Sequence, residues 1–186
     1  MRWELLFGDL EAQFHAETQQ ELEQHINELA RIEASQLSFS EVLRGALGRQ
    51  ISATMRSGTV FHGEVQRVEQ QWLLLGQERR SVLLPLAMVL RVQGVGTHRV
   101  RATSRVPYTL PAALRVLARN RSTVVLELAG TRPASLRGVL DQVGADYVQL
   151  MQMADGVGRD RGNAQGSVVV PLAALVAIAS ASDNEF

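Results

Sequence analysis

Two hydrophobic periods alternate along this 186-residue chain. Over residues 1–36, Trp3, Leu6, Phe7, Leu10, Phe14, Leu22, Ile26, Leu29 and Ile32 recur at spacings of three and four without a proline, which predicts a helix. Gly8 and the polar run 17–21 interrupt the stripe and allow two shorter helices. Such a segment either pairs as a coiled coil or covers the apolar strands of its own chain. A second helix is predicted from Ser40, whose hydroxyl suits an N-cap, to Gly48. A third covers PAALRVLAR, with Pro111 in the first turn, where proline is tolerated.

After the second and third helices the period drops to two. Ile51, Ala53 and Met55 alternate with Ser52, Thr54 and Arg56, and Val124, Leu126 and Leu128 repeat the pattern. Gly58 and Gly130 supply turns into second strands, because glycine reaches positive φ without a Cβ clash. Gly63 and Gly138 fall inside those strands, where glycine marks a sharp bend or a close backbone approach. A strongly bent strand is what a small closed barrel needs. Third strands are predicted at 72–75 and 147–150, fourth at 82–84 and 168–170, fifth at 88–92 and 175–178. Pro85 and Pro171 separate the last two strands of each set.

The two sets match residue for residue. Gly58 corresponds to Gly130, Gly63 to Gly138, Val68 to Val143, Trp72 to Tyr147 and Leu75 to Leu150, and Ser-x-x-x-Pro-Leu-Ala stands at both 81–87 and 167–173. One small fold is written twice. The expected organisation is a helical segment over 1–36, a first copy over 37–95, a basic linker over 96–108 able to add an edge strand, a second copy over 109–180 and a fraying tail over 181–186. The loop 154–166 is longer than its counterpart. Copies of about 60 residues have small cores, so packing against each other or against further chains would help to stabilise them.

Charge alters this picture more than composition does. The net charge is zero, yet residues 1–36 hold two Arg against eight acids, a net −6, and residues 42–121 hold thirteen Arg against three Glu, a net +10. Residues 122–186 carry a net −3. Every cation is Arg, whose planar fork suits phosphate and carboxylate equally, although an all-Arg chain rich in Ala and Val is more simply a mark of GC-rich codon usage. The absence of cysteine excludes disulfides and thiolate metal sites. No signal-peptide pattern and no apolar run of spanning length are found, so a soluble, cytoplasmic protein with no membrane partner is expected.

Catalytic patterns are missing. His15, His25, His62 and His98 lack ligand spacing, so no metal site is expected. Gly94-Val95-Gly96 and Gly156-Val157-Gly158 lack the third glycine and the strand-to-helix setting of a dinucleotide turn, so no cofactor is expected. Asp141, Asp146, Asp155 and Asp160 have no counterparts in the first copy and are read as solvated acids. With no nucleophile, base and orienting group in pattern, no catalytic residue is assigned and an enzyme is not expected.

A helix, five bent strands, a glycine in the second strand and a tight turn before the fifth resemble the Sm and Sm-like RNA-binding fold, a small SH3-like barrel. Its first motif is matched by M-R-S-G-T-V-F-H-G-E-V-Q-R-V-E-Q-Q-W-L-L-L from Met55 to Leu75, and the resemblance covers about two thirds of the chain. The implied fold class is mainly β with helices: an N-terminal helix followed by two tandem helix-plus-five-strand Sm-like barrels. The family's base-binding Asp and Asn are replaced by Glu69 and Trp72 in one copy and by Gly144 and Tyr147 in the other. Its closing Arg-Gly or Lys-His pair is absent, so the uridine pocket does not carry over. The opening WELLFGDLE is similar to the start of actinobacterial proteins, a likeness that implies no activity.

Two functions follow as expectations. One is single-stranded RNA binding, with Arg49, Arg56, Arg67, Arg79, Arg80, Arg91, Arg99, Arg101 and Arg105 tracking phosphates and Trp72 stacking on a base or else plugging one end of its barrel. The other is assembly. The resemblance implies ring builders that pair their fourth and fifth strands between subunits, so the copies are expected to pair within the chain, between chains or with another protein.

Overall fold

A computed structural model describes residues 19, 22, 25–29, 31–32, 34–77, 80–101, 108–130, 134–153 and 164–180. The chain divides into two compact units, Met1–Ser38 and Phe39–Phe186. In the first, residues 25–29 are helical, as are 31, 32, 34 and 35, and the helix ends where Ser35 Oγ donates to the Ile32 carbonyl at 2.7 Å. The expected helix over residues 1–18, the long loop at 154–163 and the tail 181–186 lie outside the described residues.

The second unit opens with α1, Phe39–Arg44, which begins one residue before Ser40 and so places that buried serine inside its first turn. Glu41 in the first turn and Arg44 in the last suit the helix dipole. Gly48 closes the following turn at φ 75°, and its N–H donates to Val65 O at 2.8 Å. Helix α2, Leu110–Arg119, is capped by Thr109, whose hydroxyl accepts from Ala112 N at 3.4 Å. The segment from Gly94 to Arg101, expected as a linker with an edge strand, contains no strand. A Cβ on Gly45 would collide with the His98 carbonyl, so this segment runs back against the turn after α1.

The strands are β1 Gln50–Met55, β2 Val60–Val68, β3 Trp72–Gln77, β4 Arg80–Pro85 and β5 Val89–Gln93 in the first copy. They are β6 Thr123–Leu128, β7 Ala134–Val143, β8 Tyr147–Met153, β9 Ala164–Pro171 and β10 Leu175–Ser180 in the second. Burial alternates along β1 and β2 as the period of two requires. Each bending glycine is required by close approach, since a Cβ on Gly63 would come within 2.6 Å of Gly76 O and one on Gly138 would collide with Met151 O. Both glycines lie two residues before a β-bulge, at Val65/Arg67 and at Leu140/Gln142, where the extra residue turns the strand. After Pro85 and Pro171, single 3₁₀ turns at Leu86–Met88 and Leu172–Ala174 lead into the fifth strands. Gly58 has φ 87°, as its turn requires, and Gly130 stands at the exposed bend after β6.

The fold is mainly β with helices, as expected, and the strands of the two copies are joined. All ten strands form one antiparallel sheet in the order β5-β1-β2-β3-β4-β10-β6-β7-β8-β9, and its ends do not meet. Each copy keeps its own order of fifth, first, second, third and fourth strand, and β4 of the first copy joins β10 of the second. Across this seam Leu83 faces Ile178 and Val82 faces Ala179. Ser81 N donates to Ser180 Oγ at 3.1 Å, and that hydroxyl donates back to Ser81 O at 3.3 Å.

The cores interpenetrate at the seam. Val176, Ala177 and Ala179 of β10 pack into the first copy's core, beside Leu43, Leu75 and Leu84. Trp72 and Leu83 of the first copy belong instead to the second core, with Leu114, Leu126 and Ile178. Side chains of each copy are thereby buried by the neighbouring copy.

Candidate functional site

Trp72 anchors the joint between the copies. It opens β3 directly after a tight turn in which Glu69 N donates to Trp72 O at 2.9 Å. Its indole is 3% exposed, and Nε1 donates to Tyr108 O at 2.7 Å, just ahead of α2. The two rings meet edge to face at 6.2 Å between centroids. Gln71 Oε1, one residue earlier, accepts from Leu110 N at 3.0 Å and caps the same helix. Trp72 is therefore buried within the second copy's core.

Among the described residues, several of the arginines selected from the sequence have partners within the chain. Arg67 Cζ lies 5.5 Å from the Trp72 ring centroid and 5.2 Å from that of Tyr108, and its guanidinium pairs with Glu69 at 2.8 Å. Arg80 Nε donates to Gln77 at 2.7 Å, Arg91 Nε donates to Thr54 Oγ1 at 3.3 Å, and Arg99 donates to the carbonyls of Gly96 and His98, both at 2.8 Å. Arg49 lies against Gly96, Arg56 is exposed in the β1–β2 turn, and Arg101 is exposed. Arg79 and Arg105 lie outside the described residues. Arg115, which no sequence pattern marks, donates to Gly144 O at 3.0 Å and ties α2 to its own copy's β7–β8 turn.

Ser57 and Thr59 of the β1–β2 turn, with Glu127, Leu128, Ala134 and Ser135 of β6 and β7, line a cleft of 260 Å³ between the two copies. Burial raises the Glu127 carboxyl above its ordinary pKa, with Arg80 acting in the opposite direction. Among the described residues, no three His, Asp or Glu side chains come together as a metal site, and no helix is long and apolar enough to cross a membrane.

The sheet edges carry the clearer signal. Among the described residues, β5 is paired only with β1 and β9 only with β8. On β9, Val169 is 59% exposed, while its counterpart Leu83 on β4 is 5% exposed. On β5, Leu90 is 65% exposed, while its counterpart Val176 on β10 is 1% exposed. Pro171 is likewise exposed where Pro85 is buried. A hydrophobic side chain at each of these positions has a neighbour in one copy and water in the other. The repeat continues through 88–92 and 174–178, so it pairs these positions in sequence, and tertiary structure decides which member of each pair is covered.

In comparison with known proteins, the chain matches no family model, no curated protein and no solved structure.

Proposed function

We propose that this chain is a cytoplasmic, non-catalytic, self-assembling module: two Sm-like barrels fused edge to edge, whose remaining free edges join further strands. The observation that carries this reading is the β4–β10 seam, because the chain already joins one copy to another by strand pairing and still presents the equivalent edges, β9 and β5. Exposed strand edges bearing apolar side chains are templates for pairing, and neither Val169 nor Leu90 is shielded by a charge at its own position.

RNA binding has the basic charge of residues 42–121 on its side, but the proposed stacking residue is buried and several arginines are engaged within the chain. Assembly is therefore the reading the geometry supports best. Light scattering across a concentration series tests it: wild type should exceed its 20.4 kDa monomer mass, and a Leu90→Lys/Val169→Lys double variant should remain monomeric with unchanged circular dichroism. A wild type that stays monomeric at millimolar concentration would remove the reading.

A further inference from the structure

We infer that the cleft between the two copies binds a small organic cation, an alkylguanidinium or alkylammonium, whose N–H groups are held by the Glu127 carboxylate. This site is separate from the sheet edges of the assembly reading, and neither depends on the other.

The duplication supplies the template. Ile51 pairs with Gly63 and Val124 with Gly138, so the matched glycines align Ile51 with Val124 and, three residues on, Thr54 with Glu127. The repeat also aligns 81–92 with 167–178, and so Arg91 with Ala177. Both alignments meet in the sheet: Thr54 stands opposite Arg91 in the β1–β5 pair, and Glu127 stands opposite Ala177 in the β6–β10 pair. In the first copy the Arg91 guanidinium donates from Nε to Thr54 Oγ1 at 3.3 Å. The second copy has a carboxylate in place of that hydroxyl and alanine in place of that arginine. It holds the stronger acceptor for a guanidinium and lacks the side chain that would bring one.

The surroundings of Glu127 suit such a ligand. Val124 and Leu126 of β6 are buried in the second core, so Glu127 lies on the opposite face of the strand, where it lines the cleft. Its register partner Ala177, buried in the first copy's core, has only a methyl to offer. Across the cleft, Ser57 Oγ donates to Thr59 Oγ1 at 3.1 Å, and Thr59 N donates to Ser57 Oγ at 3.4 Å. The hydroxyls of Thr59 and Ser135 can accept the cation's further N–H groups, while Leu128 and Ala134 give its hydrocarbon stem an apolar wall. The 260 Å³ of the cleft stands at the small end of ligand sites, which suits a short alkyl cation and not a nucleotide. Burial raises the Glu127 carboxyl above its ordinary pKa despite Arg80, so the group is partly desolvated and a bound cation would supply charge that Arg80 supplies only in part.

Titration of the full chain with butylguanidinium chloride, followed by amide NMR, tests this. Shifts should centre on Ser57, Thr59, Glu127, Leu128, Ala134 and Ser135 and saturate in the millimolar range, whereas 1-butanol, which keeps the stem without the charge, should leave them in place. Glu127→Gln should weaken binding by at least about tenfold, the loss of one charge-assisted contact. Ser57→Arg, in an exposed turn, brings a tethered guanidinium to the cleft and should weaken binding by a similar factor with Glu127 still present, so a folding defect in either variant alone does not decide the outcome. N-Acetylarginine methylamide carries the same group on a peptide backbone: binding no tighter than butylguanidinium is expected, and binding at least about tenfold tighter would assign the cleft to an arginine of a partner protein and overturn the inference. Saturation by 1-butanol, full affinity in Glu127→Gln, or no shift at the cleft residues would also overturn it. Light scattering of the wild type decides edge assembly whatever the titration shows.

Discussion

The indole nitrogen of Trp72 and the carbonyl oxygen of Tyr108 are 2.7 Å apart, and through this bond the third strand of one copy holds the entrance to the helix of the other. The position is shared with Tyr147, but the use is not. Tyr147 keeps the tight backbone turn, with Gly144 N donating to its carbonyl at 2.9 Å, and its ring packs against Gly144.

Trp72→Phe keeps most of the buried ring and removes the donor, leaving Tyr108 O without its partner. The expected loss is about 1–3 kcal/mol. Trp72→Ala also empties a place in the second core and should cost about 3–5 kcal/mol. Urea unfolding measures both, and a Trp72→Phe variant as stable as wild type would show that the bond contributes nothing beyond the ring.

The first turn of α2 is satisfied from two directions, by its own Thr109 at Ala112 N and by Gln71 of the other copy at Leu110 N. Thr109→Ala and Gln71→Ala should each lower stability by about 0.5–2 kcal/mol. Because they serve different N–H groups, their effects should add in the double variant to within about 0.5 kcal/mol. Strong coupling in the cycle would mean that the two caps act as one unit.

The glycines of the second strands are required by space and not by φ. Gly138→Ala drives a methyl into Met151 O, and Gly63→Ala brings one within 2.6 Å of Gly76 O, so each should cost about 1–3 kcal/mol in thermal unfolding. Gly58 presents the opposite case, with open space around it and φ 87°. There Gly58→Asn should be better tolerated than Gly58→Ala, since asparagine visits the left-handed region more readily.

Glu127 supplies a pH test. Burial raises its folded pKa above 4.5, so the folded chain holds this proton more firmly than the unfolded chain does. The contribution of this group to stability is most favourable at low pH and declines as pH rises from about 4.5 through the raised value. Glu127→Gln should therefore increase the urea midpoint near neutral pH and leave it unchanged well below pH 4.5. Arg80→Gln, which removes the opposing charge, should lower the midpoint near neutral pH. A Glu127→Gln gain that persisted undiminished into acid would show that the carboxylate's charge is not its cause.

Local order was legible in the chain because its causes are local. The period of two along 51–55 and 124–128, Pro85 and Pro171 ending the fourth strands, and Gly63 and Gly138 within the second strands are determined by side-chain alternation, a missing N–H and a missing Cβ. The start of α1 was displaced by one residue, since helix ends depend on the turn around them more than on one capping hydroxyl. The edge residues of the candidate interface were also present in the sequence, but only as members of matched pairs. Leu83 and Val169, or Leu90 and Val176, are equally apolar, and nothing in their neighbours along the chain separates them.

The sequence by itself therefore determined a duplicated, mainly β chain with its strands, bends and turns in order, because each rests on contacts a few residues apart. Tertiary structure alone decided that the duplicates share one open sheet, that Trp72 is enclosed by the other copy's core, and which edges remain free. Those outcomes depend on pairing β4 with β10, strands about 95 residues apart. At that separation both copies offer the same pattern, and only the packed chain shows which offer is taken.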